Sequence, residues 1–278
     1  MPSPSERRHG AEVPIFIICR DKVTPLQSLV TWLANHGHHR IILVDNNSSY
    51  PPLLEYLEAT EHTVVRLREN LGPWKSVWGT GVRDRYAKGE YYAVSDSDVV
   101  PDAGCPGDAM DLFSWALRRY PRYLKAGFGL RIDDLPSHYA LADEVRRWEG
   151  QWSHHPLGHG LYDAQIDTTF ALYRPDSAFA WEPAIRTGAP YLARHTPWYA
   201  DSARRTDEDQ YYIDHSVDGF THWDSAGHTE APPGSPSVPQ RIRWRVRVLV
   251  REETNKAVPR SYKPNVLRKD HAHRRSFF

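Results

Sequence analysis

Two carboxylates two residues apart are the sharpest chemical feature of the sequence. Asp96 and Asp98 follow residues 91–94 (YYAV), a short apolar run that predicts a buried strand. Carboxylates at the end of a buried strand can point at one place in a crevice, and hard cations such as Mg²⁺ and Mn²⁺ prefer such oxygen ligands. The competing interpretation is a polar turn, because Asp and Ser are turn-forming residues.

Further polar residues follow three earlier apolar runs. The runs that predict strands are 13–19, 40–44, 63–67 and 91–94, and helical patterns at 24–35, from 51 and at 74–88 separate them. This alternation predicts a mostly parallel sheet with helices on both faces, and such sheets bind ligands at the carboxyl ends of their strands. The polar residues that we expect to meet the Asp pair there are Arg20-Asp21, Asp45-Asn46-Asn47 and Asn70.

The remaining element predictions are more local. Thr24 is the expected N-cap of the first helix, with Pro25 at its first helical position. In the less regular second half, the predicted helices are 108–120 and 138–151, and the predicted strands are 123–132, 166–173 and 241–251. Residues 231–239 (APPGSPSVP) have the composition of a linker.

Composition limits the class of protein. The 278 residues are 40% hydrophobic and 25% charged, mean hydropathy is −0.64, and no run approaches about 18 apolar residues, so we expect no transmembrane span. Residues 1–10 lack the apolar core of a signal peptide. Two cysteines, Cys19 and Cys105, argue against a disulfide scaffold or a cysteine-based zinc module. We therefore expect a cytoplasmic protein, or one peripheral to the inner face of a membrane.

Four segments together carry a resemblance to a known family. They are residues 15–21 (IFIICRD), 43–49 (LVDNNSS), 69–72 (ENLG) and 93–98 (AVSDSD). In order and spacing they resemble the nucleotide-binding half of GT-A fold, family 2-type nucleotide-sugar glycosyltransferases, firmly over 13–102 and more loosely over 103–215. The resemblance implies an α/β GT-A fold with a Rossmann-like sheet, a nucleotide-diphosphate sugar donor with UDP preferred, and a divalent cation, Mn²⁺ or Mg²⁺. It also implies inversion at the anomeric carbon.

The resemblance divides the chain into four parts. Residues 1–12 are expected to be a disordered N-terminus and 13–102 the nucleotide-sugar-binding half that ends in the Asp-x-Asp motif. Residues 103–230 would form an irregular half that binds a sugar, glycan or small-molecule acceptor. Residues 231–278 would be a linker with a basic C-terminal segment.

The resemblance also implies roles for single residues. Asp98 would bind the metal directly, and Asp96 would contact the metal or the ribose. The other residues of the expected nucleotide-sugar site are Arg20, Asp45, Asn47 and Asn70. Asp45 would receive the base, although it could equally form a turn with the Asn and Ser residues that follow it.

Two carboxylates are candidates for the base that takes the acceptor's proton. Asp209, in a Glu-Asp pair well after the Asp-x-Asp motif, matches the family order, but an acidic helix N-terminus would look the same. Asp167 lies beside a predicted strand among threonines, where it could also be a hydrogen-bonded strand-edge residue. The sequence leaves both open.

Two further motifs receive less weight. The family resemblance makes His195 a candidate to complete the metal shell, against the alternative of a packed histidine in an acceptor loop. Residues 240–244 (QRIRW) spell the QxxRW pattern of processive polysaccharide synthases. That tract is rich in arginine and the membrane helices of those enzymes are missing, so the pattern is a weak one.

Alternative functions remain at this stage. A sugar nucleotidyltransferase also uses an Asp pair and Mg²⁺, but its first loop is usually glycine-rich, whereas residues 20–24 (RDKVT) contain no glycine. A non-catalytic carbohydrate-binding protein could use the 10 Trp and 15 Tyr. Nucleic acid is not an expected partner, because the first 240 residues carry an excess of acids and the aromatic residues are not interleaved with basic ones.

Charge is unevenly distributed along the chain. Between Arg241 and Phe278 there are twelve Lys and Arg against three Asp and Glu, a local charge of +9. This segment could fold back onto the acidic body, with Arg243 or Arg245 near the diphosphate, or contact an anionic membrane surface as a peripheral anchor. The alternation of apolar and basic residues over 241–251 favours folding back.

Overall fold

The computed structural model describes residues 12–216 and Trp223. The described residues all belong to one compact unit. The linker at 231–239, the QxxRW pattern at 240–244 and the basic segment 241–278 lie outside the described residues, as does nearly all of the N-terminal stretch 1–12.

The first half of the chain alternates strands and helices as predicted. Its elements are β1 (Ile15–Cys19), α1 (Thr24–Asn35), β2 (Ile41–Asp45), α2 (Pro51–Ala59), β3 (Thr63–Arg66), α3 (Gly72–Trp78), α4 (Val82–Ala87) and β4 (Tyr92–Asp96). The single helix predicted over 74–88 is two helices, α3 and α4. They are separated at Gly81, whose φ of 77° is left-handed and therefore incompatible with a continuous helix.

The second half contains short strands that the sequence patterns did not indicate. Its elements are β5 (Val99–Pro101), α5 (Ala109–Arg119), β6 (Lys125–Gly127), β7 (Gly129–Leu130), α6 (Ala142–Gly150), β8 (Pro156–Gly158), β9 (Leu161–Asp163), β10 (Ala171–Tyr173), β11 (Ala184–Thr187), β12 (Leu192–His195) and α7 (Asp207–Asp214), with 3₁₀ turns at Gln151–Ser153 and Thr196–Tyr199. The strand predicted over 123–132 is split between β6 and β7, which belong to different sheets.

The central sheet has nine strands in the order β3-β2-β1-β4-β10-β6-β11-β9-β8. Strands β3, β2, β1 and β4 pair in parallel, and only β10 and β9 of this described sheet run against the others. A second, three-stranded sheet has the order β5-β12-β7. The predicted α/β class with a mostly parallel central sheet is confirmed.

Helices cover both faces of the parallel strands because each strand is apolar on both sides. Ile15 and Ile17 of β1 face the cluster that contains Leu26, Leu29 and other apolar residues of α1, α2 and α5. Phe16 and Ile18 face the opposite cluster with residues of α3 and α4. Burial of each such side chain contributes about 1.5–3 kcal/mol. Among the residues that the structure describes, no helix has the length and apolar character needed to cross a membrane.

Candidate active site

The carboxyl ends of the three central parallel strands lie side by side. Cys19 of β1 is in register with Asp45 of β2, and Ile18 is in register with Asp96 of β4. Two further backbone bonds continue this alignment past the strand ends, because Asn46 N donates to Cys19 O at 2.9 Å and Ser97 N donates to Ile18 O at 2.9 Å. The polar residues after β1, β2 and β4 therefore meet at one edge of the sheet.

Asp96 is held by the segment that precedes β10. The hydroxyl of Thr168 donates to Asp96 Oδ2 at 2.5 Å, and Asp96 N donates to Thr168 O at 3.1 Å. Burial and the charge of Asp98 raise the pKa of Asp96 well above its ordinary value, although the Thr168 bond opposes the shift. The two carboxylates of the Asp-x-Asp motif are thus electrostatically distinct.

His195 stands next to Asp98 because two short strands pair. In the second sheet His195 at the end of β12 is opposite Val99 at the start of β5, and Thr196 N donates to Asp98 O at 2.8 Å. His195 Nε2 consequently lies 3.7 Å from Asp98 Oδ2. Burial lowers the pKa of His195, so the imidazole is held in its neutral form, which is the metal-ligating form.

Rings surround the remaining part of His195. The rings of Trp198 and Trp223 lie edge-on to the imidazole, with ring centres 4.8 Å and 5.6 Å from its centre. Within the described part of the chain, His195 Nδ1 is buried without a hydrogen-bond partner. The Nδ1 side of the ring is therefore packed, as the alternative interpretation expected, while Nε2 faces the carboxylate of Asp98.

The residues at this edge fit a divalent cation that takes part of its coordination from a ligand. Among the described residues, no three His, Cys, Asp or Glu side chains are grouped closely enough to hold a metal by themselves. Asp98 and His195 offer one carboxylate and one neutral imidazole. Mg²⁺ and similar cations are commonly held by one or two protein ligands together with phosphate oxygens and water.

The loop after β2 is shaped by Asp21, one of the polar residues expected at this edge of the sheet. Asp21 Oδ1 accepts hydrogen bonds from Ser49 N at 2.6 Å and Tyr50 N at 2.9 Å. Asp45 Oδ1 accepts a bond from Ser48 N at 2.9 Å, which is the turn-forming arrangement weighed above. Asn47 is exposed with a left-handed φ of 63°.

Asn70 is tied into the loop that leads to α3. Its Oδ1 accepts hydrogen bonds from Asn46 Nδ2 at 2.7 Å and from Gly72 N at 3.0 Å. Asn46 Oδ1 in turn accepts a bond from Leu71 N at 2.9 Å. The two asparagines therefore join the end of β2 to the start of α3, and Asn70 contributes to the shape of this edge.

Helix α7 folds back onto the end of β1, where it caps α1. Glu208 Oε1 accepts bonds from Val23 N at 2.5 Å and Thr24 N at 3.0 Å. The N-cap residue of α1 is Val23, without a side-chain cap of its own. The predicted capping role of Thr24 was wrong, because a carboxylate distant in sequence satisfies these amides.

Asp209 and Arg20 are both engaged in this contact. Lys22 Nζ donates to Asp209 Oδ1 at 2.9 Å, and Arg20 Nη2 donates to His215 O at 3.0 Å. Burial alone would raise the pKa of Asp209, but Lys22 and the bonds from Thr206 outweigh it and lower the pKa below its ordinary value. Asp209 is therefore a weak proton acceptor.

A cleft adjoins this contact. Its lining residues are Lys22, Pro197, Ala200, Asp201, Ser202, Arg205, Asp209, Tyr212 and Ile213. Burial raises the pKa of Tyr212 to about 12, and the charge of Asp98 adds to the shift. Tyr212 thus lies within electrostatic reach of the Asp-x-Asp motif.

Asp167 directly precedes Thr168, whose hydroxyl contacts Asp96. Its Oδ1 accepts a bond from Thr169 N at 3.0 Å, and within the described residues Oδ2 accepts none. Its charge contributes to raising the pKa of Asp96 and opposes the lowered pKa of His195. Of the two candidate bases, Asp167 has no ion-pair partner among the described residues.

Several residues of the site were not found from the sequence. Lys22, Thr168 and Glu208 act through partners that lie 72 to 187 positions away. Lys22 could have been suspected from its position after β1, next to Arg20-Asp21. Glu208 and Thr168 have no local pattern that distinguishes them.

Comparisons with known proteins gave partial structural similarity only. Models of known families gave no match, and no curated protein matched the sequence. Among solved structures, the chain is similar to S. aureus TarS 1–349, with a TM-score of 0.40, 12% identity and coverage of 72% of this chain. It spans 62% of that TarS chain, which is less than two thirds of its length.

Two structures of HddC from Yersinia pseudotuberculosis are also similar to the chain. The one complexed with GMP-PN has a TM-score of 0.34 and 13% identity over 60% of this chain and 71% of that one. The other has a TM-score of 0.35 and 14% identity over 63% of this chain and 74% of that one.

Proposed function

We propose that the protein is a glycosyltransferase that moves a sugar from a nucleotide-diphosphate donor, with UDP-sugars preferred, to an acceptor hydroxyl, with inversion at the anomeric carbon. The observation that carries the proposal is the approach of His195 Nε2 to Asp98 Oδ2, 3.7 Å apart. This pair lies at the carboxyl edge of a parallel sheet, where Asp96 and Arg20 also lie, and such edges bind nucleotides. The resemblance of residues 13–102 to GT-A enzymes supports the same reading.

The donor side of the site has the residue types that a nucleotide diphosphate needs. A divalent cation, Mn²⁺ or Mg²⁺, held by Asp98 and His195 would stabilise the negative charge on the departing diphosphate. Asp96, fixed by Thr168, is suited to contact the ribose or the same cation. Asp45 and Asn47 would lie beside the nucleobase of the donor, and Arg20 adds a positive charge beside the strand ends.

The acceptor side requires a carboxylate that can take a proton. We assign this role to Asp167, because Asp209 forms an ion pair with Lys22 and has a lowered pKa. The acceptor oxygen would form a bond to the anomeric carbon as the bond from that carbon to the diphosphate breaks. The electron pair would leave with the diphosphate, and Asp167 would receive the hydroxyl proton.

The products formed from labelled substrates test this proposal. The protein is incubated with Mn²⁺, a panel of nucleotide-diphosphate sugars and a panel of sugar acceptors. Glycosyl transfer releases a nucleoside diphosphate and inverts the anomeric configuration of the product. Release of pyrophosphate from a nucleoside triphosphate and a sugar 1-phosphate would instead identify a nucleotidyltransferase. Tight binding of sugars with no turnover in either assay would contradict both enzymatic functions.

A further inference from the structure

Two buried cations hold three successive backbone carbonyls just before the threonine that contacts Asp96. Arg186 Nε donates to Gln165 O at 2.6 Å. Lys125 Nζ donates to Ile166 O at 2.6 Å and to Asp167 O at 3.0 Å. Residues 165–167 are therefore fixed through their main chain by side chains from the neighbouring strands β6 and β11.

Lys125 is an unusual residue for this position. Its exposed fraction is 1%, and within the described part of the chain no carboxylate forms an ion pair with it. Its third donor bond goes to Tyr173 Oη at 3.1 Å, and its ammonium lies 5.0 Å from the ring centres of Tyr173 and Phe179. Burying an ammonium group without a paired carboxylate is costly, so a packing role alone would be better served by an apolar side chain.

Arg186 differs from Lys125 in its charge balance. It pairs with the buried Glu149 and lies over the ring of Trp152 at 5.4 Å. The opposite charge that acts on Lys125 is that of Asp167 itself. Lys125 is thus linked to Asp167 in two ways, through the carbonyl of that residue and through its charge.

We propose that Lys125 is a positioning residue that fixes Asp167 and Thr168 against the Asp-x-Asp motif. By drawing the carbonyls of Ile166 and Asp167 inward, it sets the main-chain conformation from which Thr168 reaches Asp96 and Asp167 faces the acceptor side. This inference rests on the proposed function only where it assigns Asp167 as the base. The positioning itself concerns the described residues alone.

The primary test compares Lys125→Met with Tyr173→Phe. The first variant removes all three donors and retains a stem of similar length, whereas the second removes only the hydroxyl that Lys125 also contacts. In Lys125→Met we expect kcat to fall on the order of 10²-fold, with the donor KM within about twofold of wild type. Tyr173→Phe should retain wild-type kcat. A folded Lys125→Met enzyme with wild-type kcat, or an equal loss in Tyr173→Phe, would overturn the proposal.

Hydrogen exchange supplies a second measurement that does not depend on activity. In Lys125→Met, peptides that cover 164–170 should exchange faster than in wild type, while peptides from β1 and β2 should be unchanged. If Lys125→Met does not fold, Lys125→Gln, which retains one amide donor group, replaces it with a smaller expected effect. Unchanged exchange over 164–170 in a folded variant would contradict the proposal. Absence of sugar transfer by the wild-type protein would contradict the proposed function. The hydrogen exchange of residues 164–170 would still decide whether Lys125 positions this segment.

Discussion

Thr168 donates its hydroxyl to Asp96 at 2.5 Å, whereas the neighbouring carboxylate, Asp98, faces the imidazole of His195. The two acids of one Asp-x-Asp motif therefore have different partners and different electrostatic surroundings. The raised pKa of Asp96 follows from its burial and from the charge of Asp98. We therefore expect Asp96 and Asp98 to have different roles in the site.

Asp98→Asn should abolish most of the transfer activity. The amide keeps the shape of the side chain but removes the charge that would bind a cation, so we expect activity to fall by about 10²-fold or more, similar to removal of a charged transition-state contact. Diphosphate release at saturating donor, with and without a chelator, measures the effect. Asp84→Asn serves as the matched control, because Asp84 is an exposed partner of Arg83 on α4. Full activity of Asp98→Asn, or of wild type in chelator, would rule out metal dependence.

His195→Gln should weaken the response to metal more than the maximum rate. Loss of one ligand is expected to raise the Mn²⁺ concentration for half-maximal activity by about tenfold, which corresponds to about 1.4 kcal/mol. A Mn²⁺ titration of initial rates gives this value, and His154→Gln, an exposed histidine, should titrate as wild type. If His195→Gln needs the same Mn²⁺ concentration as wild type, His195 is a packed histidine and not a metal ligand.

The two candidate bases can be separated at saturating donor. Asp167→Asn should lower kcat by about 10²–10⁴-fold, because the amide cannot receive the acceptor proton. Asp209→Asn should have a smaller effect on kcat, since Asp209 is already paired with Lys22. Nucleotide binding by calorimetry verifies that both variants keep the donor site. If only Asp209→Asn loses kcat, the base is Asp209.

Glu208→Ala should destabilise the domain without direct effect on chemistry. It leaves the amides of Val23 and Thr24 without their acceptor, at a cost of about 1–3 kcal/mol, or about 2–4 °C in Tm for each kcal/mol. Asp207→Ala is the matched control, because Asp207 is exposed in the same helical turn. Thermal melts of both variants give the comparison, and equal Tm values would show that the capping bonds contribute nothing.

Lys125 should make stability depend on alkaline pH. Burial lowers its pKa from 10.5 to about 7, against an opposing effect of Asp167. Below about pH 7 the group is charged in both states, and between about pH 7 and pH 10 only the unfolded chain retains the proton, so stability rises with pH in that window. Relative to Lys125→Met, wild type should gain up to about 1.4 kcal/mol of unfolding free energy per pH unit. The unfolding free energy of both proteins is measured in urea at several pH values. The same dependence on pH in wild type and Lys125→Met would contradict the prediction.

The strands that position the site could be predicted because their patterns are local. Strands β1 to β4 and helix α1 lie within one or two residues of the predicted runs. Strands β1, β2 and β4 are buried apolar stretches, whereas the edge strand β3 is only partly buried. Asp96, Asp98, Asp45 and Arg20 were then found by their position after those strands. Their convergence at one sheet edge follows from parallel pairing alone.

The rest of the site could not be predicted because it depends on distant partners. Strands β5 and β12, which bring His195 to Asp98, have three and four residues and leave no readable alternation. The bond between Lys22 and Asp209 spans 187 positions. Neither feature changes the local propensity of the segments involved, so only the folded chain reveals it.

The capping of α1 by Glu208 also has a consequence for the timing of synthesis. The carboxylate lies 185 positions after the first amide that it accepts from. At translation rates of about 5–20 residues per second, the start of α1 waits roughly 10–40 s for its cap. During that interval the nascent first half can pair its parallel strands and form the bonds of Asp21 to Ser49 and Tyr50, but the amides of Val23 and Thr24 lack the carboxylate of Glu208. The start of α1 therefore has its cap only when α7 has left the ribosome and docked.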